Sequence, residues 1–308
     1  MNTRMSPHMC PRLLVLCPGQ GGQHEGMNDM ALGDTAAGAF LAGVALPDGS
    51  LFDNRVAQPA VVASTLAMWL ALRPRLAALR LAPSLVAGYS VGELSAYAVA
   101  GAIEPAAAVG LAHGRARLMD AAAAGVAQTL AAVGGMAATT VRACAAAHGF
   151  DLAIVNGHDS VVIGGPAAAL PALQAQLQAQ GARVQRLPVT VAAHTPLLAG
   201  AVQPFAALLA AAPFATLACP VLAGVDAGAV SNTAVAVDAL SRQLAATIHW
   251  ADCMDAVAEA GITIALELGP GAALARMLQA RHPHIACRSV AEFRSIDGIL
   301  TWLGRGIE

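Results

Sequence analysis

Charged residues are scarce in this chain: they make up 12% of its 308 residues, whereas 57% are hydrophobic. The 17 basic and 19 acidic side chains give a net charge of −2. They form no basic stripe that could follow a phosphate backbone, so nucleic acid is not an expected partner. Much of the apolar content is alanine. This composition favours a tightly packed, helix-rich protein whose core needs no disulfide or metal.

An uninterrupted apolar run long enough to cross a membrane is also lacking. The stretch 187–225 contains no Asp, Glu, Lys or Arg, but five prolines and His194 interrupt it. A spanning helix needs about 20 predominantly apolar residues. Near the N-terminus, the apolar run 13–17 is too short for the core of a secretion signal and ends at Pro18. We therefore expect no membrane span, no export and a cytoplasmic location.

Paired cysteines are absent as well. The six cysteines lie at positions 10, 17, 144, 219, 253 and 287. They form no CxxC pair and no metal-ligand spacing with the nine histidines. Such a scatter is typical of reduced thiols in the cytoplasm, and it predicts neither disulfides nor a metal site.

Short apolar runs bounded by Gly or Pro alternate with longer helical stretches along most of the chain. This pattern is typical of an α/β protein with a mainly parallel sheet. The predicted strands are 12–17, 84–89, 219–223 and 263–268. The predicted helices are 58–81, 105–120, 197–212, 234–247, 251–260 and 272–281.

Residues 125–190 follow a different order, which is strand, helix, strand, strand, helix, strand. This βαββαβ order is the ferredoxin-like arrangement, which can form a compact unit. We predict a ferredoxin-like small domain over 125–190, inserted into a large α/β domain made of 1–124 and 191–308.

Ser90 lies between two glycines in the sequence Gly88-Tyr89-Ser90-Val91-Gly92. A chance match to this pattern is expected about 0.1 times in such a chain. An apolar run leads in and helix-forming residues follow, which is the strand, turn and helix of a nucleophile elbow. The glycines let backbones pass closely, and the Val91 N–H at the start of the helix favours an oxyanion. The alternative is a packing turn in which Ser90 caps a helix.

A second glycine-rich turn, 18–22, follows the first predicted strand. It lacks the Lys-Ser/Thr of a P-loop and the full dinucleotide fingerprint, so a nucleotide site is not favoured. A loop after a neighbouring parallel strand would reach the same edge of the sheet as Ser90. The backbone N–H of Gln20 is therefore a candidate second oxyanion donor.

Together with three further segments, these turns make the sequence resemble the malonyl-CoA:acyl carrier protein transacylase family. The motifs occur in the family's order and span most of the chain, and the inserted segment falls where the family has its small subdomain. The resemblance implies an α/β-hydrolase-like large domain. The matches are PGQGsQ at 18–23, GHSxGE at 88–93, the arginine at Arg115, the histidine at His194 and the GPG turn at 269–271.

The resemblance implies a role for each matching residue. Ser90 would be the nucleophile and His194 the general base and then the acid. Arg115 would hold the free carboxylate of a malonyl group, because a guanidinium can bind it through two hydrogen bonds. The family's Gln-Trp pair reads His249-Trp250 here, so the His249 backbone carbonyl is expected to orient His194. The alternatives are a solvated helix face for Arg115 and an ordinary core or surface histidine for His194.

The implied activity is transfer of a malonyl group from malonyl-CoA to an acyl carrier protein. Its phosphopantetheine-type thiol would accept the group, and no metal or tightly bound cofactor is implied. Tyr89 stands where fatty-acid-synthesis members usually have histidine. "GYSVGE" is similar to the malonate decarboxylase epsilon subunit. This favours a decarboxylase subunit, with other decarboxylase subunits as partners, over an enzyme of fatty-acid or polyketide synthesis.

Two other classes of protein stay open. A serine esterase or thioesterase usually places an acid after the serine and a histidine last in the chain. Asp252 with His282 or His284 could fill those places. The other class is a non-catalytic subunit that keeps the fold and binds the carrier protein.

Overall fold

The computed structural model describes residues 11–305, so Cys10 lies outside the described range. Ten strands are present in this range. They are β1 Leu13–Cys17, β2 Pro83–Gly88, β3 Gln128–Gly134, β4 Asp151–Gly157, β5 Ser160–Pro166, β6 Arg183–Arg186, β7 Val221–Leu222, β8 Ala229–Val230, β9 Ile264–Glu267 and β10 Ala286–Ser289.

Twelve α-helices connect and cover these strands in the described range. They are α1 Asp29–Leu32, α2 Thr35–Ala42, α3 Asn54–Ala78, α4 Gly92–Val99, α5 Pro105–Ala123, α6 Ala138–Ala146, α7 Leu170–Ala179, α8 Ala199–Ala210, α9 Thr233–Arg242, α10 Trp250–Glu259, α11 Ala273–Arg281 and α12 Ile296–Arg305. Short 3₁₀ turns lie at Ala167–Ala169, Pro196–Leu198 and Val290–Glu292.

Six strands form one sheet in the order β10-β9-β1-β2-β7-β8. Every neighbouring pair is parallel except β7 with β8. All five residues of β1 are buried, as expected for the centre of a parallel sheet covered on both faces. The predicted α/β class with a mainly parallel sheet is therefore confirmed.

The other four strands form an antiparallel sheet in the order β4-β5-β3-β6. With α6 and α7 between its strands, this is the predicted βαββαβ arrangement, and it has its own apolar cluster around Phe150. A single parallel bridge between Ile154 and Ile248 joins β4 to the chain ahead of α10. The boundaries of a separate domain at 125 and 190 stay a prediction.

One helix, α3, is long and apolar enough to cross a membrane by length and composition. Its most apolar window of 18 residues is 89% buried inside the protein, where α3 packs against α2 and α5. Burial by the protein's own helices identifies α3 as a core helix. The stretch 187–225, which has no Asp, Glu, Lys or Arg, contains the 12-residue α8 as its one α-helix.

The parallel register brings three strand ends to one edge of the large sheet. Cys17 at the end of β1 lies opposite Gly88 at the end of β2, and Leu16 lies opposite Glu267 at the end of β9. The loops after these strands therefore meet at the carboxyl edge, where ligands bind in open α/β sheets.

The turn between β2 and α4 is very tightly built. Ser90 has a φ of +57°, in the left-handed region that L-residues rarely adopt. A Cβ on Gly92 would lie 2.2 Å from the carbonyl oxygen of Cys17, and one on Gly88 would lie 2.3 Å from Cα of Glu93. Glycine is required at both positions because the obstructing atoms belong to the backbone.

We expect Gly92→Ala to lower the free energy of unfolding by about 3 kcal/mol, because the new methyl group would displace β1 or α4. Urea denaturation measures this difference. Gly110→Ala is the matched control, since Gly110 is an exposed glycine of α5 with no atom within 4 Å of its Cβ position. It should stabilise the protein by about 0.5–1 kcal/mol. Equal effects of the two substitutions would contradict the steric explanation.

Candidate active site

Ser90 and His194 are in direct contact. Oγ of Ser90 lies 2.8 Å from Nε2 of His194, and Nδ1 of His194 lies 2.6 Å from the backbone carbonyl oxygen of Gln243. A carbonyl oxygen can only accept a hydrogen bond, so Nδ1 carries the proton and Nε2 presents its lone pair to the serine hydroxyl. This is the geometry in which an imidazole can take a proton from a serine.

Two consecutive residues, Gln243 and Leu244, hold His194 in place through their backbone carbonyls. The N–H of His194 donates to the carbonyl of Leu244 at 2.9 Å, next to the bond from Nδ1 to Gln243. His194 has a φ of +64° and is 1% exposed. Burial, followed by the nearby charge of Arg115, lowers the pKa of His194 to about 3. The imidazole is therefore neutral and able to act as a base at ordinary pH.

The expectation that the His249 carbonyl orients His194 is wrong. That carbonyl accepts the N–H of Cys253 at 3.1 Å, because His249 is the N-cap of α10 and its carbonyl makes the first bond of the helix. The His249 side chain is 39% exposed and lies 3.6 Å from Asp252. Gln243 supplies the carbonyl instead.

Arg115 is 1% exposed, whereas Arg117 is exposed, so Arg115 does not lie on a solvated helix face. Its guanidinium donates to Oε1 of Gln58 at 2.7 Å and to Oε1 of Gln243 at 3.1 Å. In the described part of the chain no carboxylate forms an ion pair with it. Burial lowers the pKa of Arg115 to about 10, and the charge of Glu93 opposes that shift. The guanidinium also contacts the Met119 sulfur at 3.2 Å, so all of its partners in the described range are neutral, and a buried cation of this kind could bind an anion.

The buried polar side chains form a continuous chain of hydrogen bonds. Nε2 of Gln243 donates to Oε2 of Glu93, and Oε2 of Glu93 also accepts the N–H of Gly224 at 3.1 Å. At the other end, Nε2 of Gln58 donates to Oδ1 of Asn54 at 2.7 Å. Glu93, Gln243, Arg115 and Gln58 are all buried. Gln243, whose backbone carbonyl orients His194, is therefore held in place by its side chain, because Oε1 bonds to Arg115 and Nε2 bonds to Glu93.

Two backbone N–H groups near Ser90 have no protein acceptor within residues 11–305. They belong to Gln20, in the loop after β1, and to Val91, the N-cap of α4. Both loops start from the carboxyl ends of neighbouring parallel strands. Such unpaired donors could stabilise negative charge on a substrate oxygen.

A cavity of about 140 Å³ lies beside the serine. Ser90, His194, Gln20 and Tyr89 line one side of it. The remaining lining is apolar and comes from the antiparallel sheet and the segment that follows it: Leu130, Ile154, Val162, Leu187, Val189 and Ala193. The site therefore lies between the two sheets, and its volume fits a short acyl group.

Tyr89 connects the elbow to the antiparallel sheet. Its hydroxyl donates to Oδ1 of Asn156 on β4 at 3.2 Å, and its ring meets Trp250 edge-on with 5.3 Å between centroids. Burial raises the pKa of the Tyr89 hydroxyl, so it stays a neutral donor. This residue couples the position of Ser90 to the small sheet.

The alternative esterase arrangement does not form around Ser90. Nε2 of His282 lies 3.0 Å from Oδ1 of Asp255, and the His282 ring meets the His284 ring edge-on with 5.8 Å between centroids. Asp252 contacts His249 instead. Within residues 11–305, no group of three His, Cys, Asp or Glu side chains could hold a metal ion. The cysteines of that range, at 17, 144, 219, 253 and 287, are all free.

Sequence reasoning missed Gln243, Gln58 and Glu93 as members of the site. A signal for Gln58 is its polar side chain inside an apolar helix, where it is fully buried. Gln243 is the C-cap of α9, and the last carbonyls of a helix have no intrahelical partner. The predicted helix 234–247 ran past Gln243 and concealed this free carbonyl.

Comparison with known proteins places the chain in a family. The family model "Acyl transferase domain" matches residues 44–291. The malonyl CoA-acyl carrier protein transacylase of Mycobacterium tuberculosis is 32% identical over 298 residues, which cover 92% of this chain and 98% of the relative. The solved structure of FabD from Acinetobacter baumannii has a TM-score of 0.86 at 27% identity, over 96% of this chain and 99% of its own.

A further solved structure contains a type II PKS acyl-carrier protein in complex with its malonyl-transacylase, PlMCAT:AntF. It is 26% identical and has a TM-score of 0.85, over 94% of this chain and 99% of that one. The resemblance to the transacylase family is thus confirmed, whereas the narrower one to the malonate decarboxylase epsilon subunit stays a prediction. The chain belongs to the acyl transferase domain family and is an acyltransferase.

Proposed function

We propose that the protein transfers a malonyl group from malonyl-CoA to the thiol of an acyl carrier protein through a malonyl-serine. The observation that carries this proposal is the buried Arg115, a cation without an anionic partner in the described range. It bonds to Gln243, which also bonds to His194, the neutral histidine in contact with Ser90. A carboxylate-bearing acyl group matches that pair of features. The relatives named malonyl CoA-acyl carrier protein transacylase support the same substrate.

In the first half-reaction, Oγ of Ser90 attacks the thioester carbonyl carbon while its proton moves to Nε2 of His194. The N–H groups of Gln20 and Val91 hold the resulting oxyanion. The C–S bond then breaks, and the proton on Nε2 passes to the departing CoA sulfur. In the second half, the carrier thiol gives its proton to Nε2 of His194 and attacks the carbonyl carbon of the malonyl-serine. The ester C–O bond then breaks, and His194 returns the proton to Oγ of Ser90.

Selection for malonyl is assigned to Arg115. The bound carboxylate would replace one of the amide oxygens, of Gln58 or Gln243, that the guanidinium now contacts. A carboxylate can accept two parallel N–H bonds from a guanidinium and also neutralises its charge, which a neutral amide oxygen cannot do. The cavity beside Ser90, which Arg115 does not line, has a volume of about 140 Å³ and favours a short acyl group.

The acyl acceptor is proposed to be a phosphopantetheine-type thiol on a carrier protein in the cytoplasm. The solved complex of a malonyl-transacylase with its acyl-carrier protein supports this class of partner. We further propose that the carrier belongs to a malonate decarboxylase, on the basis of Tyr89 and the "GYSVGE" segment. Co-purification with decarboxylase subunits, and faster loading of their carrier than of a fatty-acid-synthesis carrier, would test that pathway. The opposite preference would assign the enzyme to fatty-acid or polyketide synthesis.

Mass spectrometry after brief exposure to malonyl-CoA tests the proposed reaction. The expected result is one malonyl group on the peptide that contains Ser90, removed when a holo acyl carrier protein is added. Acetyl-CoA should label the same peptide far more slowly. Label on another residue would overturn the mechanism, and rapid release of malonate without a carrier would favour a thioesterase.

A further inference from the structure

Glu93 is a fully buried carboxylate in the first turn of α4, three residues after Ser90. Its Oε2 accepts the amide N–H of Gly224 and the side-chain N–H of Gln243, while Oε1 has no hydrogen-bond partner in the described part of the chain. The proposed acyl transfer leaves this residue without a role, although it belongs to the same six-residue motif as the serine.

The side-chain amide of Gln243 lies between opposite charges. Its Oε1 faces the guanidinium of Arg115, and its Nε2 faces the carboxylate of Glu93. The reversed amide would point its N–H₂ group at a cation and its oxygen at an anion, so the charges of both neighbours select one orientation. The backbone carbonyl of the same residue accepts Nδ1–H of His194. A change at Glu93 is therefore transmitted to the histidine through one residue.

We propose that Glu93 is a positioning residue for the acyl transfer, whose ionised carboxylate holds Gln243 so that the Gln243 carbonyl orients His194. The acidic limb of the pH–rate profile, in which the rate falls as the pH is lowered, then results from protonation of Glu93 and not of His194. This inference rests on the proposed function, since it assigns a role in that reaction. Protonation of Glu93, on the unpartnered Oε1, removes one of the two charges that fix the amide and weakens the bond that Oε2 accepts from Gln243.

The surroundings of Glu93 determine where it titrates. Arg115 on α5 and Asp226 in the loop after β7 act on it with opposite signs, and the Tyr97 hydroxyl and the Cys253 thiol lie near enough to sense its charge. Burial is the largest effect and raises the pKa of Glu93 to about 7. The pKa of His194 is lowered to about 3, so its loss of a proton is complete well below neutral pH.

The experiment measures the rate of Ser90 acylation by malonyl-CoA from pH 5.5 to 8.5. In the wild-type protein the rate should rise about tenfold between pH 6 and pH 8 as Glu93 ionises. Glu93→Gln keeps an acceptor for Gln243 but cannot titrate, so its rate should change less than twofold over this interval and stay below the wild-type rate at pH 8. Glu93→Asp restores an ionisable group and should restore the limb.

Glu267 provides a matched control. It is also fully buried, one of its oxygens lacks a partner in the described range, and burial raises its pKa to about 7, but it bonds to Ala275 and not to Gln243. Glu267→Gln should keep the tenfold rise. A limb that survives in Glu93→Gln, or disappears in Glu267→Gln, would overturn the assignment.

If the Glu93 variants do not fold, Gln243→Met removes the same connection while the backbone carbonyl remains. It should also show less than a twofold change, and a retained tenfold rise would refute the role of Glu93. A wild-type protein that takes no malonyl group on Ser90 at any pH would instead refute the proposed function. Acylation of Ser90 with no acidic limb would refute only the positioning role.

Discussion

Ser90→Ala should lower the rate of acylation by malonyl-CoA by about 10⁴-fold. The Ser90 hydroxyl, at 2.8 Å from Nε2 of His194, is the group that forms the covalent bond in the proposed reaction. His194→Ala should cause a loss of similar size, because an unassisted serine hydroxyl is a weak nucleophile. Quench-flow followed by mass spectrometry of the intact protein measures both rates.

The two losses are not expected to add. Residues that act as one unit give a double variant about as slow as either single variant. His282→Ala is the matched control, because His282 pairs with Asp255 and does not contact Ser90. It should be acylated at the wild-type rate. An active His194→Ala protein together with an inactive His282→Ala protein would support the esterase arrangement with Asp252 instead.

Arg115→Met should lower the preference for malonyl-CoA over acetyl-CoA by about 10²- to 10³-fold, which corresponds to about 3–4 kcal/mol. The substitution removes the only buried cation found beside the dyad within residues 11–305 and leaves the malonyl carboxylate unpaired. Competition between the two donors, read as the ratio of malonyl to acetyl on Ser90, measures this preference directly.

The ratio of malonyl to acetyl on Ser90 distinguishes a loss of carboxylate recognition from general damage to the fold. Loss of the contacts to Gln58 and Gln243 slows both donors, but only loss of a carboxylate partner changes their ratio. Arg117→Met is the matched control, since Arg117 is exposed two residues away on the same helix and should leave the ratio unchanged. An unchanged ratio in Arg115→Met would refute the proposal that Arg115 binds the malonyl carboxylate.

The elements that short-range patterns encode could be predicted from the sequence. β1 and β2 are continuous apolar runs that end in glycine-rich turns, and the βαββαβ order of the small sheet is visible in local periodicity. The two-residue pairing of β7 with β8 and the short strand β10 were not predicted. They depend on neighbours in the sheet more than on their own composition.

The site was predictable where a motif carries the chemistry and not where only geometry does. Ser90 stands in a distinctive sequence, but any residue has a carbonyl that could orient His194. The choice between Gln243 and His249 depends on where α9 ends and α10 begins. The His249 expectation came from matching the family's Gln-Trp pair to His249-Trp250, whereas the carbonyl that meets His194 belongs to Gln243.

The left-handed backbone at Ser90 and His194 has a cost in stability. In residues 11–305, Ser90 and His194 are two of only four non-glycine residues with positive φ. An L-residue in this region costs about 1–2 kcal/mol, a strain that glycine avoids. Glycine at position 90 would relieve this strain, whereas glycine at position 194 would also remove a buried imidazole and leave the Gln243 carbonyl without its donor. The contact between Ser90 and His194 is therefore made by two residues whose backbone conformation opposes the stability of the fold.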